Sequence, residues 1–261
     1  FTNLAITGDC VIADGAWTHP ANAGTEVYRL KATVGGEFVL GSNAIIDLNG
    51  RGYAGGSGPG HGVSGFRDTV NGVAASHGGR GIFGTGASPA LTYGSVLLPL
   101  HLGSGATTYG GGALDLQVEG PAVIDGTIRA VGAAVPNENP ASAGGSVYLA
   151  ADSLAGGGLI DVSGAGGSSY QNAGGGRIAV VLTSGNSVSN VVLRAYGGTG
   201  GGSGPGAAGT IYVKKAVAEP GQKTLIVDNN NSITATNVYT ELPPVVTDNP
   251  PDDLREVWMV L

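Results

Sequence analysis

Charge is scarce in this chain. Of 261 residues only 12 are Lys or Arg, against 19 Asp or Glu, and the formal net charge is −7. Binding nucleic acid takes clustered cations to neutralise phosphates, and the densest basic word here is Lys214-Lys215, so that partner class is excluded. Cysteine is scarcer still. Cys10 stands alone, which rules out an internal disulfide and any metal site built on cysteine pairs. Beside Val11-Ile12 it reads as a small core residue. No apolar run is long enough to cross a bilayer, and no window of a dozen residues keeps helical apolar spacing without a Gly or Pro interrupting it. Helices and membrane insertion are therefore not expected. A start at Phe1 fits removal of a leader or excision from a longer protein.

What the chain has instead is glycine, 50 residues of it, arranged with a period. Pairs of small residues at Gly111-Gly112, Gly144-Gly145, Gly175-Gly176 and Ala208-Gly209 recur about every 31 to 33 positions. Each opens an alternating run: Ala113-Leu114-Asp115-Leu116, Ser146-Val147-Tyr148-Leu149, Arg177-Ile178-Ala179-Val180 and Thr210-Ile211-Tyr212-Val213. Alternation puts every second side chain on one face of a strand, so one face of each run is buried.

A second short strand follows in each unit, at Ile128-Arg129-Ala130, Ile160-Asp161-Val162 and Leu193-Arg194-Ala195, with an early copy at Ile46-Asp47-Leu48. Aligning these on their closing glycines places Arg129, Asp161 and Arg194 in one structural column of alternating charge. The spacing predicts an all-β fold, a right-handed parallel β-helix (β-solenoid) with long Gly-rich loops over residues 1–235, less regular at 61–110. Handedness here follows only from the general preference of parallel crossovers. Close-packed Gly-rich loops suit tight corners and near approach of backbones, and layers of polyproline-II-like chain are one way to pack them.

Chemistry is harder to find. His19, His61, His77 and His101 fall in irregular or Gly-rich contexts without metal-ligand spacing, and read as surface or loop histidines. The Gly-rich stretches lack the aspartates of calcium-binding nonapeptides; residues 197–209 have none. No catalytic, cofactor-binding or metal-ligating residue is predicted, and no cofactor. The enzyme alternative is a carbohydrate-binding or polysaccharide-cleaving β-helix, whose glycan face would be the column of Asp115, Tyr148 and Tyr212.

From Thr236 onward the composition changes. Glycine stops, prolines and acids take over, and the last residues, Val257, Trp258, Met259, Val260 and Leu261, are apolar. Residues 236–261 read as an extended Pro-rich tail ending in a strand that either folds back as a cap or reaches a neighbouring subunit.

The words Gly50-Arg51-Gly52-Tyr53-Ala54-Gly55-Gly56-Ser57-Gly58-Pro59-Gly60, Ser163-Gly164-Ala165-Gly166-Gly167 and Gly174-Gly175-Gly176-Arg177-Ile178-Ala179-Val180, with the opening Asn3-Leu4-Ala5-Ile6-Thr7-Gly8, resemble the Gly-rich β-helical repeat regions of large secreted bacterial surface or adhesin-like proteins. That resemblance spans residues 1–60 and 110–215 and implies an extracellular, structural role. The expectation is a subunit of a surface fibre or adhesin stalk, joined head to tail into a homopolymer, with glycans as the second class of partner and no catalysis.

Overall fold

The computed structural model describes residues 3–63, 72–133, 140–167, 171–200, 204–216, 223–242 and 258–260. Fifteen strands and no helix occur among them, so none is long and apolar enough to cross a membrane. In chain order the strands are β1 (Leu4–Ile6), β2 (Cys10–Trp17), β3 (Leu30–Val34), β4 (Phe38–Asp47), β5 (Ala113–Val118), β6 (Ala122–Ile124), β7 (Thr127–Arg129), β8 (Ser146–Ala151), β9 (Leu154–Ala155), β10 (Leu159–Asp161), β11 (Arg177–Leu182), β12 (Val192–Arg194), β13 (Thr210–Lys214), β14 (Lys223–Ile226) and β15 (Trp258–Val260).

They form two sheets. One has eight strands in the order β1-β3-β5-β8-β11-β13-β14-β15; the other, of seven, runs β12-β10-β7-β4-β6-β9 with β2 paired to β4. Their apolar faces meet. From the first come Leu30, Leu114, Val147, Ile178 and Ile211, each register partner of the next, with Leu116, Leu149, Val180 and Val213 two residues on. From the second come Ile46, Ile128 and Ile160, beside Leu40 and Ile124. All belong to one buried cluster. Burying each such side chain contributes about 1.5–3 kcal/mol, and only stacking strand on strand removes these faces from water.

The Gly-rich connections are ordered outside both sheets by hydrogen bonds among themselves. Gly52 N–H donates to Gly110 O (2.7 Å), Gly103 N–H to Gly111 O (2.8 Å), Gly111 N–H to Ala143 O (2.9 Å) and Gly175 N–H to Ala207 O (3.0 Å). Glycine is required here by contact. A Cβ on Gly145 would lie 2.7 Å from Gly111 C and closer still to Gly112 O, and Gly176 and Gly209 face the carbonyls of Gly145 and Gly176 in the same way. The second residue of each Gly-Gly pair thus stacks on its counterpart in the unit before. Its N–H donates to the carbonyl of the residue just after a strand of the second sheet: Gly112 to Leu48, Gly145 to Ala130, Gly176 to Val162 and Gly209 to Ala195.

The expected right-handed parallel β-helix is overturned. The eight-stranded sheet is mixed, because β14 runs antiparallel to β13 before β15 joins β14 in parallel, and the other is a parallel sheet curled into a half-barrel. The stretch of sequence between Lys214 and Lys223 is shorter than a parallel crossover needs, in keeping with the antiparallel pairing of β14 with β13. Residues 61–110 add antiparallel bridges between Val63 and Val73 and between Val73 and Phe83.

Candidate functional site

Each predicted residue among the described ones has a definite place. Asp161 lies opposite Arg129 on one side and Arg194 on the other, in register, and Asp47 extends the column beyond Arg129. The charges alternate along the sheet. Side-chain contacts are looser: Arg129 reaches Asp47 at 3.9 Å, while the Asp161 carboxylate accepts from Ser163 N–H (2.9 Å) and Ser163 Oγ–H (2.6 Å). This is a charge-balanced surface ladder.

Asp115, Tyr148 and Tyr212 also share one column, through Ala179. That column is not an open face. Asp115 is 2% and Tyr212 4% exposed; Val96 and Leu97 of the irregular segment and Leu242 of the tail pack with Ala179, Tyr212 and Leu225. Within this layer Asp115 pairs with Lys31 (3.2 Å) and accepts from Gln117 Nε2 (2.9 Å). Burial, and next the Asp115 charge, raise the Tyr148 phenol above its ordinary range.

In the tail, β15 forms the outermost strand of the eight-stranded sheet, Thr224 to Ile226 pairing with Trp258 to Val260. Met259 and Val260 are half exposed. Val257 and Leu261 lie outside the described residues. Closer in, residues 237–242 strap the Gly-rich layer: Thr240 Oγ–H donates to Ala208 O (2.7 Å), Glu241 pairs with Arg80 (2.9 Å), and the Arg80 guanidinium lies 4.1 Å over the Tyr239 ring.

Sequence reading missed a buried polar cluster. His77 is wholly buried, stacked on Tyr93 with ring centroids 4.5 Å apart, and His101 meets Tyr93 edge-on at 6.0 Å. His77 Nδ1 contacts Gly144 O at 2.7 Å, so Nδ1 carries the proton and Nε2 is left as a buried acceptor without a partner among the described residues. Burial, reinforced by the nearby Arg177 charge, pushes the His77 pKa down to about 3. Burial likewise raises the Tyr93 phenol, whose hydroxyl donates to Leu102 O (2.7 Å) and accepts from Ser104 (2.8 Å).

Arg177, 1% exposed, closes the cluster by donating from Nε to Tyr93 O (3.0 Å) and from Nη1 to Thr210 Oγ1 (2.9 Å). One signal could have found it: Arg177 is the lone charged residue at the position after the small pair, where Ala113, Ser146 and Thr210 stand in the other units. Chemically the cluster pins residues 93–104 to the first sheet through backbone carbonyls.

The remaining feature is an opening at the end of the core. Among the described residues both β1 and β2 have one edge unpaired, and between them Leu4, Ile6, Cys10, Ile12, Ala16 and Trp17 line an apolar hollow of about 280 Å3. Val11 beside it is 64% exposed. Burial raises the Cys10 thiol pKa, as suits an unreactive packing residue.

Compared with family models, with curated proteins and with solved structures, the chain matches none.

Proposed function

We propose that this chain is a structural element of an extracellular fibre or adhesin-like stalk, in which copies join end to end. The observation that carries the reading is the apolar hollow between the free edges of β1 and β2. An exposed strand edge flanked by apolar side chains is a template for pairing, and proteins that stay monomeric blunt it with charge, proline or a covering element. Here Leu4 and Val11 stand open instead.

Elsewhere the eight-stranded sheet finishes in β15 and the seven-stranded one in β12 and β9, each with one edge unpaired among the described residues. Joining one copy's β1 and β2 to the next copy's β15 and β12 is a heterologous contact. Such contacts repeat into filaments when they do not close. In this arrangement the tail serves through β15: it pairs with β14 of its own chain and offers its other edge, with Met259 and Val260, to the neighbour. Placement outside the cell rests on the resemblance of the Gly-rich words to surface-protein repeats. The burial of Asp115 and Tyr212, two of the three residues of the alternative glycan face, supports the structural reading over it.

The test is light scattering and electron microscopy of the full chain beside an Ile12→Asp variant, with circular dichroism to establish that both fold. Concentration-dependent filaments in the parent and monomers in the variant are expected. A parent that remains monomeric at every concentration, or a variant that polymerises equally well, would defeat the reading.

A further inference from the structure

A second cavity, of about 440 Å3, lies between residues 82–85 and the turn at 235–238. Its walls are held from behind. Ile82 packs with Val238 and Ala207, and the half-buried Phe83 leans on the same cluster. Ile82 N–H donates to Asn172 O at 2.8 Å. On the far side Val238 N–H closes the turn on Ala235 O (2.9 Å), and Arg80 N–H holds the next residue by its carbonyl, Tyr239 O (3.2 Å). The cleft is therefore preformed, and its size falls within the roughly 300–1,000 Å3 usual for small-ligand sites.

What lines it is selective. Phe83 and Ile82 supply an apolar wall, while Gln171, Asn237, Thr85 and Thr236 supply amides and hydroxyls. Gln171 is the telling residue. It is 3% exposed, and its backbone carbonyl accepts from Ala141 N–H (3.0 Å), but its side-chain amide has no hydrogen-bond partner among the described residues. Its amide is not sealed off from the cleft and offers two donors and an acceptor there. Among the described residues no lining residue is charged, and the Arg80 guanidinium is already engaged by Glu241 and Tyr239.

A hydrocarbon ligand would strand the Gln171 and Asn237 amides, and an anion would find no cation. A hydroxyl is donor and acceptor at once, as an amide is, and the C–H face of a pyranose ring lies flat on an aromatic ring. We propose that this cleft binds a neutral hexopyranose unit of a glycan, with Phe83 under the ring and Gln171 at the floor. The site is remote in kind from the predicted Asp115, Tyr148 and Tyr212 column, and it does not depend on end-to-end assembly.

The experiment titrates the full chain with maltohexaose and cellohexaose, and with oligogalacturonate and heparin hexasaccharides as charged counterparts, by calorimetry and ligand-observed NMR. Binding of a neutral hexasaccharide is expected, weakened about tenfold or more in Phe83→Ala and Gln171→Leu. Asn237→Ala, at the exposed rim, reads the same loss should either buried substitution fail to fold. Ile12→Asp leaves the affinity unchanged, which separates this site from the assembly contact. The proposal is overturned if neither neutral sugar binds, if a charged one binds as tightly, or if folded variants bind like the parent.

Discussion

Substituting Gly145 by alanine tests whether the Gly-Gly repeat is a packing requirement. Its Cβ would sit 2.7 Å from Gly111 C and 2.8 Å from Gly111 O, with Gly112 O nearer still. Every obstructing atom is backbone, so no side chain can swing aside. Relief takes a separation of neighbouring segments on the order of 1 Å, since carbon contacts settle near 3.5 Å. Ser146 N–H already reaches Gly112 O at 3.1 Å; that movement breaks the bond. Overpacking of about 1–3 kcal/mol together with a lost hydrogen bond of about 1 kcal/mol gives roughly 2–4 kcal/mol.

At about 2–4 °C per kcal/mol for a chain of this size, Gly145→Ala should melt roughly 4–16 °C below the parent. Gly157→Ala is the control, because a Cβ there meets nothing within 4 Å; removing unfolded-state freedom should leave it unchanged or raise stability by less than about 1 kcal/mol. Thermal and urea unfolding followed by circular dichroism reads both. Equal melting of the two variants would refute close backbone stacking as the reason for the glycines.

His77 makes stability depend on pH: its folded pKa, about 3, lies below the unfolded value of 6.5, so the stability it contributes is complete above 6.5 and is lost as pH falls towards 3, at up to roughly 1.4 kcal/mol per unit. Urea midpoints measured from pH 7 to 4 should fall less steeply in His77→Phe than in the parent. Arg177→Met leaves Tyr93 O and Thr210 Oγ1 without their buried donor and should cost about 2–4 kcal/mol in urea unfolding. Asp161→Arg places like charges against Arg129 and Arg194 and should cost roughly 1 kcal/mol, recovered in part at high salt, whereas Asp161→Asn should cost less.

Strand register was the most legible property of this chain. The columns through Leu114, Val147, Ile178 and Ile211, and through Arg129, Asp161 and Arg194, pair as the spacing of the small-residue pairs requires, because a one-residue slip would turn every apolar side chain to the wrong face. Leu30 heads the first column, yet it escaped notice, since no Gly-Gly pair precedes it to mark the phase. The route of the chain was less legible than the register. Alternation says which residues share a face and nothing about the direction in which the next strand arrives, so the antiparallel β14 was missed.

Burial of the outer face of the first sheet was missed for a related reason. Periodicity identifies the face turned to the core and leaves the opposite one to be read as solvent-facing by default. Ala179 and Val181 were the available signals: both are apolar at outward positions of β11, where a solvated face would carry polar side chains. With them, Tyr148 and Tyr212 read as one wall of a second, smaller apolar layer.

That second layer changes how the glycine content should be understood. A strand stack with a bare outer face needs only enough glycine to turn corners. This chain instead packs Gly-rich backbone against Gly-rich backbone, and then fastens residues 93–104 and 237–242 over the result through His77, Arg177 and Arg80. The fastening is local, made by a few buried donors on carbonyls, whereas the stacking is periodic. The two therefore fail differently. Removing Arg177 should uncover Tyr212 and leave the strand register intact, while crowding Gly145 should disturb the register itself. Tyrosine fluorescence and the far-ultraviolet circular dichroism signal of the two variants distinguish these outcomes, and coincident loss of both signals in Arg177→Met would show that the outer layer and the strand stack fold as one unit.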